Sequence, residues 1–135
     1  MAVLLAASAF GLWRRRTDGI VRANEVPAQG EAARPRLTAG QLGAQLGSRA
    51  TLVQFSTAFC QPCRATKVVL AEVAAKVDGV RHLEIDAESH LELVREMGIM
   101  RTPTTLILDG DGRITARAAG VPRKDQVFAA IARAL

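Results

Sequence analysis

The chain's only two cysteines, Cys60 and Cys63, lie where a β-type run turns into a helix-type run, and no other stretch constrains the fold as tightly. The residues before them, Thr51 to Thr57 (TLVQFST), are mostly β-branched, aliphatic or aromatic, as a strand prefers. The residues after them, Arg64 to Val77, repeat apolar positions at helical spacing and contain neither Gly nor Pro. The pair therefore falls at a strand-to-helix junction. Unpaired backbone N–H groups and partial positive charge at a helix N-terminus stabilise a thiolate and lower its pKa. That makes Cys60 a candidate nucleophile.

Two other readings of a Cys-x-x-Cys pair stand beside this one. A zinc site would need two more ligands; no third cysteine exists, and His82 and His90 are not at a helical ligand spacing, so no metal is expected. In the inert reading the two are small buried core residues. A pair three residues apart staples nothing distant, so the fold must stand on its hydrophobic core and the cysteines are free for redox work. With 135 residues, 49% hydrophobic and 23% charged, the chain has material for one domain with a real core.

The net charge of +5 is placed unevenly: Arg14, Arg15, Arg16, Arg22, Arg34 and Arg36 all precede Leu37, and charges nearly balance beyond it. No aromatic residues interleave with Lys or Arg as a single-strand nucleic-acid platform requires, so no nucleic acid is expected as a partner. Residues 1–13 read as a short apolar, anchor-like segment, with AVLLAASAFGLW from Ala2 to Trp13 ending at three arginines. As a helix that apolar run reaches about 18 Å, against a hydrocarbon core of about 30 Å. Basic residues follow the apolar run rather than precede it, which argues against a cleaved secretory signal. The favoured reading is a membrane anchor, short or lacking upstream residues, with Trp13 at the interface; the other is a stretch that only adheres to a membrane surface or to the domain itself.

Residues 14–36 read as a basic, flexible linker broken by Gly19, Pro27, Gly30 and Pro35, with a short edge strand open at Gly19 to Arg22. Residues 37–135 read as one domain. Thr38 caps a helix through about Leu46 with Gly47 as its stop, and Val80 to Asp86 is a strand. Ser89 and Glu92 form a capping-box pattern for a helix from Leu91 to Met97. Pro103 opens the strand Thr104 to Leu108, and Asp109-Gly110-Asp111-Gly112 turns it antiparallel into Arg113 to Ala119. A last helix carries the stripe Val127, Phe128 and Ile131.

This order, together with Phe59-Cys60-Gln61-Pro62-Cys63, resembles the thioredoxin family, whose usual site is Trp-Cys-Gly-Pro-Cys after a central strand. The resemblance covers about Leu37 to Leu135 and implies an α/β thioredoxin fold, a central mixed β-sheet flanked by helices on both faces. It implies a thiol–disulfide oxidoreductase that reduces protein disulfides and maintains redox homeostasis, with Cys60 as nucleophile and Cys63 as resolving thiol. It also implies a substrate groove formed by Phe59, Gln61, Pro62, Thr102 and Pro103, with a cis bond before Pro103; the residues alone equally permit an ordinary trans proline at a strand start.

The resemblance departs at two positions that matter for chemistry. The family's buried carboxylate falls on Gln54 and its accompanying lysine on His82, so Gln54 and His82 are candidates for proton transfer or tuning, although His82 equally suits a half-buried strand residue. Ser56 and Phe59 stand where tryptophans are common. The expected partners are disulfide-containing protein substrates, a dithiol reductant or thioredoxin reductase-like recycler, and a membrane through residues 2–13. No cofactor is expected, and the chain is expected to be a monomer. The positive-inside rule places the catalytic domain on the cytoplasmic face of the cell membrane, with a soluble cytoplasmic protein as the alternative. The second functional reading is a redox-inert, membrane-tethered module that binds peptides in the groove around Pro103.

Overall fold

The computed structural model describes residues 2–23 and 35–135. The middle of the expected linker, residues 24–34 with Pro27, Gly30 and Arg34, lies outside the described residues. In chain order the elements are α1 (Ala2–Thr17), β1 (Val21–Ala23), α2 (Ala39–Leu42), β2 (Ala50–Ser56), α3 (Gln61–Lys76) and β3 (Val80–Asp86). A 3-10 turn (Ala87–Ser89), α4 (Leu91–Glu96), β4 (Thr104–Asp109), β5 (Ile114–Ala119) and α5 (Lys124–Ala134) complete the chain.

The five strands form one sheet in the order β1-β5-β4-β2-β3. Only β2 and β3 run parallel, joined by α3 as a crossover helix; the other neighbours are antiparallel. Every residue of β2 is buried, because both faces of this central strand are covered. Its side chains alternate between two cores. Val53 and Phe55 face a cluster with Leu42, Leu93 and Met97 on the α2 and α4 side, and Ala50 and Leu52 face Leu70, Val73, Val127 and Ile131 on the α3 and α5 side. Gln54 shares the parity of Leu52 and so points toward α3.

The β4–β5 turn forms where Asp109-Gly110-Asp111-Gly112 predicts it. Asp109 Oδ1 accepts from the N–H groups of Asp111 and Arg113, both at 2.9 Å. Gly112 sits at φ +82°, and a Cβ there would lie 2.3 Å from the Leu37 carbonyl oxygen, so only glycine fits. A register shift between Ile107 and Leu108 sets Ile107 opposite Ala116 but Leu108 opposite Ile114, leaving Thr115 as the extra residue.

Several boundaries differ from the sequence reading. α2 ends at Leu42 instead of Leu46 because Gly43, in the left-handed region at φ +67°, stops it before Gly47 is reached. The cap of α4 is His90, with no side-chain cap bond, because the Ser89 hydroxyl donates to Asp86 Oδ2 at 2.8 Å. The described part of residues 14–36 is largely regular: α1 runs to Thr17, and Val21–Ala23 joins the sheet as an edge strand on β5. Among the described residues no helix is long and apolar enough to cross a membrane.

Candidate active site

β2 ends at Ser56, and the chain reaches Cys60 through a short loop before α3 begins. Cys60 is the N-cap of α3, and its sulfur accepts the Cys63 backbone N–H at 3.2 Å. One orphan donor of the helix terminus thus points at this sulfur, the geometry that favours negative charge there. Pro62 lies in the first turn, where its missing N–H has no partner to lose. Cys60 and Cys63 are joined as a disulfide, with Cα atoms 5.2 Å apart. The two cysteines differ in access: Cys60 is half-buried, whereas Cys63 is 4% exposed.

Phe59 is 97% exposed and holds φ at +59°, a left-handed conformation that few non-glycine residues adopt. A large aromatic displayed in that conformation beside Cys60 gains nothing from the core. Gln61 is exposed on the first turn of α3. Across from this loop, the Thr102–Pro103 peptide bond is cis. The Thr57 and Thr102 hydroxyls hydrogen-bond at 3.1 Å, which ties the Pro103 loop to the loop entering α3. Gly120 N–H donates to the Pro103 carbonyl at 2.9 Å.

Behind the disulfide, Gln54 is fully buried and satisfied on both ends of its amide. Its Nε2 donates to the Cys63 carbonyl at 2.8 Å and to Ser56 Oγ at 3.0 Å. A carbonyl only accepts, so the Gln54 nitrogen must face Cys63 and its Oε1 must face His82, 2.9 Å from His82 Nε2. His82 Nε2 therefore carries a proton. Burial pushes the imidazole below its ordinary value; Glu84 opposes that shift and Lys67 adds to it.

A pocket of about 240 Å³ opens over the cysteines, lined by Ser56, Thr57, Phe59, Cys60, Cys63, Arg64, Lys67 and Glu84. Lys67 and Glu84 face each other there at 3.8 Å, both well exposed, an arrangement of small energetic weight. The structure thus gathers Gln54, Phe59, Cys60, Cys63, His82, Thr102 and Pro103 at one end of the sheet. Sequence reasoning did not single out Thr57, Lys67, Glu84 or Met100, the last 92% exposed three residues before Pro103. Glu84 was accessible by aligning the two parallel strands, since it stands opposite Gln54. Thr105, opposite Gln54 on β4, keeps a buried hydroxyl without a hydrogen-bond partner.

Residues 39–133 match the family model for thioredoxin. The chain belongs to the thioredoxin family. It is 34% identical over 90 residues to a thioredoxin of Alicyclobacillus acidocaldarius, a match covering 66% of this chain and 85% of the relative. A thioredoxin of Chlamydia muridarum is 31% identical over 88 residues, covering 65% of this chain and 85% of its own. Spinach chloroplast thioredoxin f superposes with a TM-score of 0.57 at 26% identity, over 65% of this chain and 78% of that one. With the Cys60–Cys63 pair in place, this membership makes the protein a thioredoxin-like thiol–disulfide oxidoreductase.

Proposed function

We propose that the protein reduces disulfides in protein substrates, with Cys60 as the attacking thiol and Cys63 as the resolving one. The difference in access between the two cysteines carries this assignment: the half-buried Cys60 sits at the helix N-cap, and the buried Cys63 lies behind it. The Cys60 thiolate attacks a substrate sulfur, a Cys60–substrate bond forms as the substrate disulfide breaks, and the second substrate sulfur leaves as a thiolate that takes a proton. Cys63, having lost its proton, attacks the Cys60 sulfur, closes the internal disulfide and releases the reduced substrate. The protein is then oxidised by two electrons, and a dithiol reductant or reductase returns them.

Gln54 does not serve as the base, because a carboxamide takes no proton at working pH; its amide nitrogen donates to the Cys63 carbonyl. Its role is to hold the first turn of α3 against β2. The proton of Cys63 leaves through the pocket, whose one carboxylate among the described residues is Glu84. Phe59, Gln61, Pro62, Thr102 and Pro103 form the surface on which an extended substrate segment lies beside the cysteines.

Trapping tests the roles. Cys63→Ser accumulates a mixed disulfide between Cys60 and substrate, and Cys60→Ser traps nothing. The reverse pattern overturns the assignment. Insulin-disulfide reduction driven by dithiothreitol separates this reading from a redox-inert peptide-binding module: turnover that Cys60→Ser abolishes supports the reductase, and no turnover by the intact chain supports the module.

We also place α1 against a membrane surface, with the catalytic domain on the cytoplasmic side. Val3, Leu4, Leu5, Phe10, Leu12 and Trp13 are all exposed, and Arg14, Arg15 and Arg16 occupy the last turn. An apolar helix ending in arginines suits an interface with anionic lipids. Recovery of the full chain entirely in the supernatant after cell fractionation removes this placement, as does labelling of Cys60 by a membrane-impermeant thiol reagent outside intact cells.

A further inference from the structure

A second concavity, about 460 Å³ in volume, lies beside the sheet's β1 edge and is lined in part by Asp18, Arg22, Arg101, Arg117 and Ala119. Its charge is not that of a balanced surface. β1 pairs with β5 so that Arg22 stands directly opposite Arg117. Opposed residues of an antiparallel pair point to the same face, and like charges there destabilise the pair. Asp18 is the one carboxylate among the described residues lining the pocket, and it already pairs with Arg101 at 3.0 Å. Neither Arg22 nor Arg117 has a carboxylate partner among the described residues. Arg117 is held in place: its guanidinium donates to the Met97 and Gly98 carbonyls at the end of α4. That leaves a fixed cation facing a second one that makes no side-chain hydrogen bond among the described residues, with further N–H donors unassigned.

The pocket borders the Pro103 loop through Arg101. Arg101 directly precedes Thr102 and Pro103. Gly120, which donates to the Pro103 carbonyl, lies so close to Arg101 that a Cβ there would be 2.9 Å from Arg101 Nη2. Arg101 thus joins the pocket to the cis-proline loop, while Arg22 and Arg117 share the row and sheet face of Leu106 and Val53.

We propose that this pocket is a specificity subsite for acidic side chains, taking an Asp or Glu that lies a few residues from the disulfide-bonded cysteine of a protein substrate. The proposal rests on the reading of Thr102 and Pro103 as the substrate groove. An extended segment advances about 3.3 Å per residue, so a chain laid along Thr102–Pro103 carries its flanking residues toward Arg101 and the Arg22–Arg117 pair. Guanidinium forks match a carboxylate in a planar, two-bond geometry, and one carboxylate between Arg22 and Arg117 relieves their repulsion.

The experiment compares reduction of two disulfide peptides that differ only in flanking residues, three Glu against three Gln, by the full chain at low and at high salt. The expected result is a five- to tenfold higher kcat/KM for the Glu peptide, expressed mainly in KM and shrinking at high salt. Arg22→Gln/Arg117→Gln brings the Glu-to-Gln ratio below twofold. Arg22→Gln alone, which removes a side chain without hydrogen bonds among the described residues, lowers the ratio partway and covers the case in which the double variant does not fold. Arg49→Gln/Arg81→Gln removes equal charge far from the pocket and keeps the ratio. Equal rates for both peptides with the wild-type chain overturn the subsite while leaving the reductase standing; reduction of neither peptide overturns the reductase reading and the subsite with it. An equal loss of ratio in the Arg49/Arg81 control shows a diffuse field and overturns the pocket. So does a double variant that keeps the peptide ratio and loses binding to phosphatidylglycerol vesicles, which would assign the arginines to a membrane.

Discussion

α1 and α3 are both 16 residues long and both rich in apolar residues, yet they stand in opposite relations to the rest of the molecule. α3 buries Cys63, Thr66, Leu70 and Val73, a stripe at spacings of three and four that faces the sheet. α1 buries none of its side chains from Val3 to Arg16. Its apolar residues are contiguous, so they surround the helix instead of marking one face. The chain leaves it abruptly at Gly19, which sits at φ +76° with its N–H bonded to the Ala119 carbonyl. A Cβ at Gly19 would be 2.0 Å from the Val121 carbonyl oxygen, so the exit from α1 to β1 depends on glycine. Apolar content alone does not bring a helix into a core. Spacing does, when a sheet face is available to receive it.

The largest effect that sharpens this contrast is on stability. Leu70 is fully buried between the sheet and α5 in the same cluster as Val73, Val127 and Ile131. Leu70→Ala is expected to lower the unfolding free energy by about 2–5 kcal/mol, a sizeable part of the total for a domain of this size. Leu5→Ala, on exposed α1, is expected to stay within about 0.5 kcal/mol. Urea unfolding of the two variants checks both values. Equal losses would show that α1 packs on something and would break the comparison.

A smaller effect tests how the N-terminus of α3 is held. Gln54→Leu removes the amide that bridges the Cys63 carbonyl, Ser56 Oγ and His82 Nε2 while leaving the apolar contacts roughly in place. The orphaned buried groups are expected to cost about 1–3 kcal/mol. Because the lost bond reaches Cys63 itself, the rate of mixed-disulfide resolution should slow as well. A variant that loses stability with an unchanged resolution rate would confine Gln54 to packing.

These two helices also show what was legible in the sequence. The strand-to-helix junction, the cysteines and the stripe on α3 are local patterns, and each can be read from a short window. The Gln54–His82 bond is not local: it needs the parallel register of β2 and β3, which sets Leu52 opposite His82 and brings a Gln side chain to a neighbouring strand. The Arg22–Arg117 opposition was out of reach for the same reason, since a three-residue edge strand pairs with β5 across most of the chain. α2 was overextended because two glycines, Gly43 and Gly47, were equally good stops in sequence. The backbone uses the first.

The smallest expected effect concerns pH. His82 has its pKa in the folded protein below the ordinary 6.5, chiefly because burial disfavours the charged ring. Between the folded value and 6.5 the unfolded chain binds more protons than the folded one, so the unfolding free energy rises with pH through that window. The stability linked to His82 is thus fully present above 6.5 and is lost as pH falls. The loss should be gentle, because a protonated imidazole still carries its Nε2 proton and keeps the bond to Gln54 Oε1. Desolvation of the new charge and, less so, its repulsion from Lys67 are at stake, Glu84 offsets part of them, and the ring is half-buried and so partly hydrated. His82→Gln retains a donor for Gln54 and removes the titration, and its stability should be flatter with pH than that of the wild-type chain between about pH 5 and 7. An unchanged slope in His82→Gln would move the pH dependence to another group and separate the Gln54 network from it.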